Sequence, residues 1–105
     1  MVNKIMFYIG LNDKDAKVQK IDTLAAGDIV ERVFVSHGVD GATLSSGRGI
    51  YKHDSGDIVT ENTIIVQVYD FGGVCQIDAI CQDLKQLLNQ ESIAVEQIET
   101  NSALY

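Results

Sequence analysis

Hydrophobic and polar positions alternate near the start of the chain. In residues 4–11, KIMFYIGL, the side chains with strand preference are Ile5, Met6, Phe7, Tyr8, Ile9 and Leu11. Odd and even positions would point to opposite faces of a strand, since successive side chains alternate. We therefore predict a first strand that presents apolar or aromatic groups on both faces.

The pattern then changes to helical spacing. Between Asp15 and His37, apolar residues recur three or four positions apart: Ile21, Leu24, Ala25, Val30, Val33 and Phe34. This spacing predicts an amphipathic helix, capped at its start by Asn12 or Asp13 and at its end by Gly38. Gly27 interrupts it, so a kink or a break into two helices stays open.

A β-hairpin is predicted next, with arms at Gly41–His53 and Asp57–Phe71 around a DSG turn. If Asp54 pairs near Ile58, the register follows. Leu44 then faces Val68, Ser46 faces Val66, and Tyr51 faces Glu61.

The last third of the chain predicts a second helix and a final strand. Residues Gly72–Gln90 carry apolar side chains at helical spacing: Ile77, Ile80, Cys81, Leu84, Leu87 and Leu88. Glu91–Thr100 alternates and supplies the strand. The order βαββαβ, in 105 residues, predicts one α+β domain of the ferredoxin-like class, with two helices on one face of a four-stranded antiparallel sheet.

Two helices on one side leave the other face of that sheet open. Met6, Tyr8, Ile65 and Tyr69 have the parity opposite to Ile5, Phe7, Val66 and Val68. An apolar, aromatic open face favours a cover. We predict a homo-oligomer with those first four residues in its interface. A small-molecule ligand held on the face is the alternative.

Charge restricts the partners. The net charge is −7 and the chain holds eight Lys and Arg residues, which argues against nucleic acid and against an anionic membrane surface. No apolar run reaches the roughly 20 residues of a membrane-spanning helix, and no signal peptide is recognisable. We expect a cytoplasmic protein without cofactor or metal. Cys75 and Cys81 fit a reducing compartment.

Polar chemistry is densest in residues 45–61, SSGRGIYKHDSGDIVTE. Arg48, Tyr51, His53 and Glu61 predict either a ligand-binding or acid–base site, or a solvated hairpin with cross-strand pairing. The parity of Arg48 places it on the helix-covered side, where an arginine needs a carboxylate or ligand partner.

Other polar residues have structural interpretations. Cys75 and Cys81 lie about 240° apart around a helix, so they cannot share a metal or a disulfide. His37 sits at a helix C-terminus, where a cation interacts favourably with the dipole. The GRG at 47–49 lies inside a strand, where glycines mark a bulge or a close backbone approach.

The segment HGVDGATLSSGRGIYKH, residues 37–53, resembles the helix-to-second-strand passage of PII-type signalling proteins, with its Gly-x-x-Gly-Ala/Met-Thr sequence. Such proteins are trimeric sensors of adenine nucleotides and 2-oxoglutarate. This chain departs from them in its short HDSGD turn and in LLNQESIAVEQ, which has no glycine and no basic residue. No ligand residue therefore transfers. GDIVTENTIIVQVYD is similar to the equivalent strand of small bacterial proteins of unknown function.

Three hypotheses remain at this stage. The first is a homo-oligomeric binding or regulatory module without catalysis. The second is a small enzyme that uses Arg48, Tyr51, His53 and Glu61. The third is a structural subunit of a larger assembly.

Overall fold

A computed structural model describes residues 1–105 as one antiparallel sheet with two helices. The elements are β1 (Val2–Gly10), α1 (Thr23–Ser36), β2 (Thr43–Lys52), β3 (Ile58–Asp70), α2 (Ile77–Leu87) and β4 (Ala94–Thr100). The strand order is β2-β3-β1-β4, and every neighbouring pair is antiparallel. The ferredoxin-like βαββαβ prediction is confirmed.

The core fills the space between the helices and one face of the central strands. Its 14 buried residues are Ile5, Phe7, Ile9, Leu11, Ala26, Val30, Val33, Phe34, Ile64, Val66, Val68, Ile80, Leu84 and Leu88. The rings of Phe7 and Phe34 meet edge to face, with centroids 4.9 Å apart, an arrangement that aromatic pairs prefer. The helix α1 is thereby fixed on β1.

The helix α1 begins later than predicted. Asp13 does not cap a long helix. Its carboxylate accepts from the backbone N–H groups of Asp15 and Ala16, and Lys17 then adopts a left-handed φ of 63°. A helix cannot continue through that conformation. The cap is Asp22, whose carboxylate accepts from the Ala25 N–H at 2.9 Å.

The end of α1 agrees with the predicted glycine cap. Gly38 has φ 77°, its N–H donates to Val35 O, and the Val39 N–H donates to Phe34 O. These two bonds form a Schellman motif. Gly27 does not break the helix, which is continuous from Thr23 to Ser36.

The hairpin register differs by two residues from the prediction. Leu44 pairs with Val66, Ser46 with Ile64, and Tyr51 with Val59. The cause is the turn, which takes five residues, 53–57, and is closed by the His53 N–H donating to Asp57 O at 2.8 Å. A shift of two keeps every side chain on its predicted face.

The edge strand β2 is exposed along most of its length. Neither helix is long enough to cross a bilayer, since α1 has 14 residues and α2 has 11.

The helix α2 begins at Ile77, after a loop. The carboxylate of Asp70 organises that loop by accepting from the N–H groups of Val74 and Cys75. The imidazole of His37, at the end of α1, reaches Asp83 on α2, with Nε2 and Oδ2 2.7 Å apart. His37 thus joins the two helices.

Candidate functional site

A cavity of about 700 Å³ opens on the uncovered side of the sheet, where β1 ends. Small-molecule sites commonly have volumes of about 300–1,000 Å³. The residues lining it are Tyr8, Gly10, Asn12, Asp13, Lys14, Lys17, Gly47, Arg48, Gly49, Tyr51, Glu61, Thr63, Ile65, Gln90, Glu91, Ser92 and Ala94.

Glycines on the two strands that flank β3 form the floor of this cavity. Gly10 on β1 and Gly47 on β2 both pair with Thr63 on β3, so the three residues form one row across the sheet. Gly49 pairs with Glu61 in the next row of the same face. Because glycine has no side chain, the sheet surface is recessed at these positions, and the larger neighbouring side chains border the recess.

The carboxylate of Glu61 lies over this floor. Its Oε2 accepts from the backbone N–H of Asn12 at 3.0 Å. A charge-assisted bond of this kind is stronger than a neutral one. The side chain is partly buried and makes no ion pair within 4 Å, so the charge is available to a cationic ligand.

The loop between β1 and α1 forms one wall. Asp13 is 9% exposed, and Asn89, just after α2, donates to its Oδ1 at 2.9 Å. The bond from the Ala16 N–H, followed by that from Asn89, holds the pKa of the Asp13 carboxyl below its ordinary value of 3.8. Gln90 donates to the Asn12 carbonyl at 2.8 Å, so both ends of the chain build this wall.

Both signs of charge line the cavity. Lys14 and Lys17 are basic, whereas Asp13, Glu61 and Glu91 are acidic. Tyr8 and Tyr51 add aromatic surface, which attracts cations through the ring face. A ligand that carries separate cationic and anionic groups beside a planar ring suits this lining.

The structure brings Arg48, Tyr51 and Glu61 to one cavity. His53 lies instead in the exposed hairpin turn, where its Nδ1 accepts from the Ser55 N–H at 3.3 Å. Arg48 has the parity of Asn62 and Val66, opposite to that of Gly47 and Gly49, and the predicted carboxylate partner is not present. Arg48 is exposed and has no carboxylate within 4 Å, because β2 is exposed along most of its length.

Sequence reasoning missed the contributions of Gly10, Asn12, Lys14, Lys17 and Gln90. One signal was available: two strand glycines, Gly47 and Gly49, have the same parity as Tyr51. Gly10, at the end of β1 on the other side of β3, completes that signal only when the strand order is known.

A second cavity of about 550 Å³ lies at the opposite end of the strands. Its lining includes His37, Tyr69, Phe71, Val74 and Cys75. Burial raises the pKa of the Cys75 and Cys81 thiols, and neither forms a disulfide. Raised thiol pKa values disfavour thiolate chemistry.

The predicted interface residues share the open face. Tyr8 pairs with Ile65, Met6 lies two positions before Tyr8, and Tyr69 pairs with Lys4. Tyr8 and Tyr69 are 37% and 41% exposed. Tyr8 lines the larger cavity, and Tyr69 lines the smaller one at the opposite end of the strands.

Fold and site together define a ferredoxin-like α+β protein with a mixed-charge cavity on its open face. The fold is shared with CutA from Archaeoglobus fulgidus, at a TM-score of 0.64, 12% identity, and coverage of 99% of this chain and 88% of CutA. It is also shared with GlnK of B. subtilis, solved as its complex with ATP. The TM-score is 0.55 and the identity is 14%, over 95% of this chain and 87% of GlnK. The predicted resemblance to PII-type proteins is confirmed as a likeness of fold.

The chain is also similar to a phage SAM lyase solved in complex with S-methyl-5′-thioadenosine. The TM-score is 0.68 and the identity is 25%, over 93% of this chain and 81% of the lyase. No family model matches the chain, and no curated protein matches it by sequence.

Proposed function

We propose that this protein binds S-adenosylmethionine in the Glu61 cavity and cleaves it to S-methyl-5′-thioadenosine. The observation that carries the proposal is an available carboxylate fixed on the floor of a cavity of ligand size. The 25% identity to a phage SAM lyase, over 93% of the chain, supports the choice of substrate.

The lining matches the chemistry of this substrate. S-adenosylmethionine presents a sulfonium cation, an α-ammonium group, an α-carboxylate and a planar adenine. Glu61 attracts the cationic part, and Tyr8 and Tyr51 add ring faces for it. Lys14 and Lys17 offer partners to the substrate carboxylate.

The same lining distinguishes substrate from product. Cleavage between the sulfur and the γ-carbon moves the bonding electrons onto sulfur, so the sulfonium becomes a neutral thioether. An oxygen of the substrate's own α-carboxylate forms the new bond to the γ-carbon, so the four-carbon fragment leaves as an aminolactone and no further reactant is consumed. The Glu61 carboxylate then loses the charge that it attracted. We expect Glu61 to contribute to the binding of S-adenosylmethionine and little to the binding of S-methyl-5′-thioadenosine.

Incubation of the purified protein with S-adenosylmethionine tests the activity. Chromatography should show S-methyl-5′-thioadenosine forming in proportion to protein. Glu61→Gln should lower kcat/KM by roughly 10- to 100-fold, which corresponds to the loss of one charged hydrogen-bonding interaction. Glu31→Gln, the same change on the exposed surface of α1, is the matched control and should have no effect.

Calorimetry separates catalysis from binding alone. Binding of S-adenosylmethionine without turnover would replace the lyase with the non-catalytic module considered from the sequence. If the protein neither binds nor cleaves S-adenosylmethionine at millimolar substrate, both forms of the proposal are refuted.

We further propose that the protein acts as a cytoplasmic homo-oligomer joined through the open face. Met6, Tyr8, Ile65 and Tyr69 supply the apolar surface, and burial of such a patch is a common basis of symmetric association. Two free, half-buried thiols suit a reducing compartment.

A further inference from the structure

Gly10 lies directly beneath the carboxylate of Glu61. A Cβ atom built at position 10 would fall 2.6 Å from Glu61 Cδ and 2.8 Å from Oε2. Side-chain carbons do not approach other heavy atoms this closely. A side chain at position 10 and the observed Glu61 carboxylate therefore exclude each other.

Backbone conformation does not account for this glycine. The glycines with positive φ are Gly38, Gly56 and Gly73, so Gly10 has a φ that other residues can adopt. A glycine inside a strand weakens it. What a side chain at position 10 would meet is the carboxylate end of Glu61, which would have to leave its observed position.

The hydrogen-bond donor that receives the carboxylate is itself fixed. The N–H of Asn12 donates to Glu61 Oε2, while the carbonyl of Asn12 accepts from Gln90. Gln90 is 9% exposed. The Leu11 N–H donates to Asn62 O at 3.0 Å and continues the sheet ladder up to this loop.

We infer that Gly10 and the Asn12 N–H are positioning elements that fix the Glu61 carboxylate before substrate arrives. Gly10 leaves the space and Asn12 supplies the bond, so the carboxylate is held in one place. A charge placed in advance needs little reorganisation when a cation binds. The positioning of the Glu61 carboxylate does not depend on what the protein binds. Its effect on turnover rests on the proposed function.

Thermal unfolding of four proteins tests the geometry: the wild type, Gly10→Ala, Glu61→Ala and the double variant. Gly10→Ala should lower Tm by at least about 4 °C when Glu61 is present, and should lower it much less when it is combined with Glu61→Ala. If Gly10→Ala does not fold, the double variant should still fold. If Gly10→Ala lowers Tm equally with Glu61 and with Glu61→Ala, or if the double variant does not fold, the inference is overturned. Gly27→Ala, with open space around the added methyl group, is the control.

Amide NMR reports on the hydrogen bond itself. The Asn12 N–H resonance should move upfield in Glu61→Ala and, where it folds, in Gly10→Ala, because the carboxylate acceptor is removed or displaced. It should not move in Gly27→Ala. An unchanged Asn12 resonance in Glu61→Ala would contradict the positioning.

Turnover measurements keep the inference distinct from the proposed function. With S-adenosylmethionine as substrate, Gly10→Ala should lower kcat/KM about as much as Glu61→Gln, and the combined variant should be no worse than either. Full turnover in Gly10→Ala would overturn the positioning role. A wild type without turnover refutes the function alone, and the Tm and NMR results still decide the geometry.

Discussion

Adjacent residues of the same strands serve two different surfaces. On the covered face, Ile5, Phe7 and Val66 are at most 1% exposed, whereas Tyr8 and Tyr69 on the open face are 37% and 41% exposed. The covered face is filled by large side chains from both helices. The open face alternates large side chains with glycines, and the resulting depression holds the carboxylate that pairs with the Asn12 amide.

This difference shows how one sheet separates stability from function. Close packing leaves no room for a ligand on the covered face, and changes of volume there are costly. On the open face, glycines remove packing and create a cavity, at some cost in strand stability. Substitutions on the two faces should therefore have different measurable effects.

The largest expected effect is on the covered face. Phe7→Ala should lower the free energy of unfolding by about 3–5 kcal/mol, because it leaves a cavity against Phe34. Urea denaturation measures this. Val35→Ala, on the exposed side of α1, should change it by less than about 0.5 kcal/mol. Similar losses in the two variants would contradict the division between the faces.

The open face should show its effect in assembly. Tyr8→Glu and Tyr69→Glu should convert the proposed oligomer to an 11.5 kDa monomer, since a buried unpaired charge is unfavourable. Light scattering measures the mass. Tyr105→Glu, on the exposed tail, should leave the mass unchanged. If the wild type is already monomeric, the proposed interface is refuted, and the open face serves ligand binding alone.

Asp13 lies where the two faces meet, at the end of β1. Its lowered folded pKa means that its contribution to stability is complete well above the ordinary value of 3.8 and is lost as pH falls through the lower folded pKa. Asp13→Asn should therefore be less stable at neutral pH and lose less stability on acidification. Melting curves from pH 7 to about pH 2 measure this. Asp54→Asn, in the exposed turn, is the control; the same acid dependence in wild type and Asp13→Asn would contradict the assignment.

The smallest effect is expected on the helix that covers the packed face. Gly27→Ala should raise the free energy of unfolding by about 0.5–1 kcal/mol, because the helix is continuous there and the methyl group meets open space. Gly38→Ala, at φ 77°, should destabilise instead. Thermal unfolding compares the two. A destabilised Gly27→Ala would indicate a packing role for that glycine.

The covered face was predictable because periodicity reports directly on burial. The alternation of Ile5, Phe7 and Ile9, and the helical spacing of Val30, Val33 and Phe34, identify residues that are all buried. Errors arose where local chemistry decides. Asp13 caps one turn instead of a helix, and a five-residue turn moved the hairpin register by two.

The cavity was only partly predictable. Residues 45–61 contain Arg48, Tyr51 and Glu61, and local density of polar groups was enough to select them. Gly10, Asn12 and Gln90 lie far from them along the chain, and only the pairing of β1 with β3 and β4 brings them together. Sequence distance hides contacts of this kind from any local pattern.

The central position of β1 has a consequence for folding. The first strand to be synthesised pairs with β4, the last, with Val2 opposite Thr100. A ladder between such distant segments closes late, because the loop entropy has to be overcome first. On the ribosome, one edge of β1 stays unpaired until β4 has emerged. The bond from Gln90 to the Asn12 carbonyl also joins segments far apart along the chain, so we expect this wall of the cavity to form late in folding.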